Sequence, residues 1–243
     1  MMFLTNSTLG KVVRAQVRFK INAYMGALLS LIFVQLIGLL FSTNGSSTRG
    51  TSVNNIQIQV ITISNDLVFV FVAIWALFVG NLITTRAYRY DDFSFVTTRL
   101  SSNLANILVL LMISIFAGVT TFLSNNVLRV YLSIFGSTEY TKSPGVFDEP
   151  FSSIGTMLVI TLLILSLSSG GYLAGMLIQN SRLFLLVIPI IVLSILTTEI
   201  GQTLIQILFM NESTWLLIVN LIFMTIVFFG IAIAISNRLE VRA

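Results

Sequence analysis

The chain has no cysteine and no histidine among its 243 residues. The first absence excludes disulfides, zinc–thiolate sites and thiol nucleophiles. The second removes Ser–His and Cys–His catalytic pairs, His-ligated metals and the usual proton shuttle near neutral pH. Charge is scarce as well: Asp, Glu, Lys and Arg make up 9% of the chain, against roughly 25% in soluble domains. Hydrophobic residues supply 56%, and the mean hydropathy is +0.98. A water-soluble fold does not fit that balance. Intrinsic disorder is excluded with it, because disorder needs low hydrophobicity and high net charge.

What is present is a series of long apolar runs. A hydrocarbon core about 30 Å thick takes roughly 20 apolar residues in a helix. Five segments meet that need, at 21–41, 67–85, 104–123, 154–178 and 215–235, and none carries Lys, Arg, Asp or Glu. A sixth, 183–210, is apolar but interrupted. All are read as helices, since an isolated strand leaves its backbone unsatisfied in lipid. No segment shows the ten-residue alternation of an outer-membrane barrel. The expected fold class is all-α: a polytopic membrane protein with six transmembrane helices, forming a single domain over 1–243.

Six spans place both termini on one side. That side receives Lys11, Arg14, Arg18, Lys20, Arg86, Arg89, Arg99, Arg182, Arg238 and Arg242, and the other receives Arg49, Arg129 and Lys142. The positive-inside rule then puts both termini in the cytoplasm of a multi-pass protein. The net charge of +4 follows from topology, so no nucleic-acid partner is expected. The apolar stretch 21–41 is longer than the 7–15 residues of a signal-peptide core, and it is read as a retained span.

Between the spans the sequence is informative in three places. Residues 9–20 read as an amphipathic interfacial helix. Leu9, Val12, Val13, Val17 and Phe19 fall in one arc at about 100° per residue, with Lys11, Arg14 and Arg18 opposite. Lys20 breaks the pattern where its stem can snorkel. Such a helix lies along the inner membrane surface; a frayed basic leader that only fixes orientation is the other reading. Residues 42–65 read as a polar outer loop, flexible over 44–50. In the second outer segment, 127–135 reads as a half-buried helix or strand.

The cytoplasmic loop after the second span holds Arg86, Tyr88, Arg89, Tyr90, Asp91, Asp92, Phe93 and Phe95. Aromatics with Arg are enriched at protein contacts, which favours a docking role. Interfacial anchoring of Tyr88 and Tyr90 at the headgroups is the alternative. In the fourth span Ser166, Gly170 and Ala174 lie four apart, and Gly171 and Gly175 form a GxxxG pair that lets helices approach closely within the subunit.

The fifth segment carries the sharpest signal. Its first part, 183–196, is about 21 Å long as a helix and too short to cross. The whole stretch, at about 42 Å, is longer than one span needs. Between lies Thr197-Thr198-Glu199-Ile200-Gly201-Gln202. A broken, re-entrant helix reconciles the two lengths, a form tolerated where it is buried in protein or lines a cavity. Glu199 is the one acidic residue inside an apolar segment. An intramembrane carboxylate marks a functional site by default, and Thr198, Glu199 and Gln202 become the candidate substrate-pathway residues. A Glu at the outer headgroup level, or one satisfied by Thr198 or Gln202, is the competing reading.

No catalytic constellation is visible. The one Gly-Lys pair, Gly10-Lys11, is followed by Val12 and preceded by Thr5 where a P-loop needs Gly. The Asp91-Asp92 pair lies in a loop, not in a span. No metal, cofactor or enzymatic activity is expected of this chain, and no internal repeat of the kind seen in many secondary transporters is found.

The leader helix, the six spans, the Arg86-Ala87-Tyr88-Arg89-Tyr90-Asp91-Asp92-Phe93-Ser94-Phe95 loop and the broken fifth helix with Glu199 together resemble the membrane (permease) subunit of an ABC transporter of the type-2 exporter class. Within it, the chain is similar to small bacterial exporters of peptides and antimicrobials. The resemblance implies a pair of permeases, two copies or a copy and a paralogue, in the plasma membrane with two cytoplasmic ATP-binding subunits. It implies docking of the ATPases on the leader helix (Lys11, Arg14, Arg18) and on the loop Arg86 to Phe95, and an exit route beside Glu199. A secondary transporter or channel, or a non-transport subunit of a membrane complex, are the alternatives.

Overall fold

In the computed structural model, residues 9–44, 46–53, 56–63, 65–85, 98–135, 150–209 and 213–238 are described. The helices are α1 (Leu9–Ala23), α2 (Met25–Asn44), α3 (Asp66–Thr84), α4 (Arg99–Phe135), α5 (Pro150–Asn180), α6 (Phe184–Thr197), α7 (Glu199–Phe209) and α8 (Thr214–Arg238). Five of them, α2, α3, α4, α5 and α8, are long and apolar enough to cross a membrane. The α6–α7 pair makes a sixth candidate, bent by 83°. The chain is therefore a multi-pass all-α bundle.

Packing centres on α5, which meets α3, α4 and α8. Its small residues explain why. A methyl group added at Gly80 of α3 would lie 2.0 Å from the Ser168 carbonyl oxygen, and one at Gly171 of α5 would lie 2.2 Å from that of Leu77. Only glycine permits this approach, so the GxxxG pair packs within the subunit as its spacing implied. In lipid, where apolar side chains gain little by leaving the solvent, such close van der Waals contact is what holds helices together.

Side-chain bonds fix the helix directions. Lys20 donates to Asn106, and Gln35 Nε2 donates to Thr121 Oγ1 at 3.1 Å; in both pairs the partners are 86 residues apart. A constant offset means that α1 and α2 run parallel to α4 along one continuous seam. Ser114 with Ser168 (3.3 Å) and Asn103 with Tyr172 (3.0 Å) set α5 antiparallel to α4. Arg99 Nη1 donates to the carbonyl oxygens of Asn237 (3.1 Å) and Ser236 (3.4 Å), bringing the end of α8 to the start of α4. Helices α5 and α8 thus end at the same end of the bundle. The bent pair between them must carry the chain back across its length.

Three expectations are corrected. The segment over 44–50 is not simply flexible: β1 (Ser46–Val53) and β2 (Ile56–Ile63) pair antiparallel from Ser46↔Ile63 to Val53↔Ile56. The alternation Ile56-Gln57-Ile58-Gln59-Val60 carried that signal, at the period of two that marks a strand. The half-buried segment 127–135 is no separate element. It continues α4, whose 37 residues make about 55 Å of helix. Finally, Lys20 does not snorkel; it is 4% exposed and bonded to Asn106.

Candidate functional site

The break in the fifth segment is built by local chemistry. Thr198 leaves the helix with φ −85° and ψ 146°. Its hydroxyl donates to the Ser194 carbonyl at 2.7 Å and accepts from the Gly201 backbone N–H at 3.3 Å. That second bond is an N-cap on α7, three residues on. Gly201 makes the sharp bend sterically feasible, since a methyl group there would lie 2.0 Å from the Ile195 carbonyl oxygen. Glu199 opens α7, where the positive end of the helix dipole favours a carboxylate.

Helix α7 is two-faced. Glu199, Gln202, Thr203 and Gln206 recur at the i, i+3, i+4, i+7 spacing of one helix face, and all four are exposed. Gly201, Ile205 and Leu208 are buried or half-buried on the other side. The far end of α7 is held by Asn220 of α8, whose Nδ2 donates to the carbonyl oxygens of Leu208 (3.3 Å) and Ile207 (3.5 Å). Asn220 lies six residues into α8, about 9 Å along its axis. The end of α7 therefore lies beside the first turns of α8. Helix α6, leading to it, has no buried residue.

Thr198, Glu199 and Gln202 are thus brought together at one bend. The reading in which Thr198 or Gln202 satisfies the carboxylate gains no support. Thr198 donates to Ser194, and Gln202 Nε2 donates to the Leu196 carbonyl at 3.4 Å. Lys11, Arg14 and Arg18 form an exposed basic ridge on α1, lining an open groove of about 580 Å³ with Ala15, Phe19 and Asn22. Arg86, Tyr88, Arg89, Tyr90, Asp91, Asp92, Phe93 and Phe95 lie outside the described residues. Among the described residues there is no group of three or more His, Cys, Asp or Glu side chains able to hold a metal.

A second polar centre lies at the opposite end of the bundle. Lys20 of α1 donates to Asn106 Oδ1 of α4. Asn106 Nδ2 donates to the Tyr172 hydroxyl of α5 at 3.3 Å, and that hydroxyl donates to Asn103 Oδ1 at 3.0 Å. Tyr172 in turn meets the Phe229 ring of α8 edge-on at 6.0 Å. Four helices converge on this cluster. Its traces in the sequence are Lys20, out of place on the apolar side of the leader helix, and two asparagines three apart at the start of an apolar run, which a search for ionisable groups passes over.

Comparison with protein-family models, with curated proteins and with solved structures finds no match to this chain.

Proposed function

We propose that this chain is the permease subunit of an ATP-driven exporter. It forms the pathway for an amphipathic peptide or a lipophilic molecule and couples to a separate cytoplasmic ATP-binding subunit. It works in the cell membrane as a pair, either with a second copy or with a paralogue, with both chain ends in the cytoplasm.

The observation that carries this reading is the α6–α7 arm. Four polar side chains on an arm that joins two candidate spans call for a surrounding of protein or water rather than hydrocarbon. Here they face away from their own subunit. A route lined by one carboxylate, two carboxamides and a hydroxyl on an otherwise apolar wall suits a substrate with both polar and apolar surface. It gives a bare ion too little compensation for its lost hydration. The basic ridge Lys11, Arg14 and Arg18, with the loop Arg86 to Phe95, supplies the charged and aromatic surface that an ATPase would grip at the cytoplasmic end.

Affinity purification in mild detergent tests the partnership. A P-loop ATPase is expected to accompany the chain, and charge reversal at Asp91 and Asp92 is expected to abolish stimulation of its hydrolysis without unfolding the permease. Purification of the chain with no nucleotide-binding partner would overturn the proposal in favour of a non-transport subunit or a secondary transporter.

A further inference from the structure

The stripe that α1 presents to the bundle is Val13, Gln16, Val17 and Lys20, so half of it is polar. Lys20 has an acceptor in Asn106. Gln16 is 1% exposed, yet neither its Nε2 nor its Oε1 has a hydrogen-bond partner among the described residues. The Nδ2 of Asn103 is likewise buried and unpartnered among them. The 86-residue offset of the seam carries Gln16 to the level of Ser102 and Asn103. The orphaned amides therefore lie at one level of the bundle, where α1 packs on α4. A buried donor or acceptor without a partner bears its full desolvation penalty, and these groups recover hydration only if the seam opens. The chain also breaks its helix at Tyr24, between α1 and α2, with Gly26 beside it; a methyl group on Gly26 would meet nothing within 4 Å.

We propose that α1 is a detachable arm. It docks on α4 through the Lys20–Asn106 bond, and the buried amides of Gln16 and Asn103 hold the docked and open states close in free energy. It swings at Tyr24 while α2 stays in the bundle, anchored by Gln35 on Thr120 (2.8 Å) and Thr121 (3.1 Å) and by Ser30, which accepts from Trp75 Nε1 at 2.9 Å. Opening exposes the Val13–Lys20 stripe and the Asn103–Asn106 face of α4. This inference does not rest on the exporter reading, since it concerns one chain.

The absence of native cysteine makes the test direct. Val17→Cys, on the docked stripe, and Val109→Cys, in the fully buried core, are placed singly in the full chain. Both variants are labelled with N-ethylmaleimide in native membranes. The thiol introduced by Val17→Cys is expected to react, while that of Val109→Cys stays protected. Adding Gln16→Leu, which replaces the orphaned amide with an apolar group, is expected to slow labelling of the Val17→Cys variant about tenfold. Adding Asn106→Leu, which removes the bond from Lys20 to α4, is expected to speed it. A Val17→Cys variant as inert as Val109→Cys, equal labelling of the two, or a labelling rate of Val17→Cys that fails to respond in opposite directions to the two added changes overturns the proposal.

Discussion

The α3–α5 seam and the α6–α7 arm both belong to candidate membrane spans, yet they are built in opposite ways. The seam brings backbones into contact: Gly80 lies on Ser168 and Gly171 on Leu77, too close for any side chain. The arm buries no residue of α6 and turns the polar stripe of α7 outward. In lipid the first arrangement supplies cohesion through van der Waals contact and small residues. The second supplies almost none and leaves polar groups needing a surrounding other than hydrocarbon. The lesson is that cohesion and the proposed pathway fall on different helices, and mutations should separate them.

The largest effect is expected at the seam. Gly171→Leu must force α3 and α5 apart, an overpacking cost of about 3 kcal/mol or more. Loss of the monodisperse folded protein in detergent, seen as a fall in thermal midpoint or outright aggregation, checks it. Next comes the bend. Gly201→Leu drives a side chain into the Ile195 carbonyl and should straighten or dislocate α7 while the α3–α5 seam survives. Transport should be lost, and the thermal midpoint should move far less than for Gly171→Leu. A smaller effect is expected for Asn220→Leu. It removes the donor that holds the end of α7, at about 1 kcal/mol, and should appear as faster hydrogen exchange confined to α7. The smallest effect on stability is expected for Glu199→Gln, since that carboxylate is exposed. Folding and assembly should be unchanged while export rate or substrate preference shifts. A Glu199→Gln variant that exports normally would return Glu199 to the headgroup level and remove the functional half of the comparison.

Much of this division was legible in the residues. Five uninterrupted apolar runs gave five helices because lipid leaves the backbone no other solution. The break near Thr198 followed from arithmetic alone, one part being too short and the whole too long. The GxxxG pair announced a close approach. What escaped was the polar chemistry between elements. Asn103 and Asn106 look innocuous in a linear reading, and only the antiparallel placement of Tyr172 and the parallel placement of Lys20 make them a network. Lys20 reads as a snorkelling cation until an acceptor 86 residues away draws it inward. The hairpin escapes for a different reason: the Ser, Asn and Gly around its first strand read as a loop, and the alternation lies in the second strand alone. The spacing of Glu199, Gln202, Thr203 and Gln206 encodes one polar face of α7, but that this face turns outward depends on the bend at Thr198, for which Gly201 leaves room.

The central claim is that the chain traverses the membrane six times, the bent α6–α7 pair being the sixth passage. Single cysteines at Lys11, Ser47, Arg182 and Asn237 in this cysteine-free chain, probed with an impermeant maleimide from each face, test it most directly. Positions 11, 182 and 237 are expected to label from one face only and position 47 from the other. Labelling of 11 and 237 from opposite faces would contradict it.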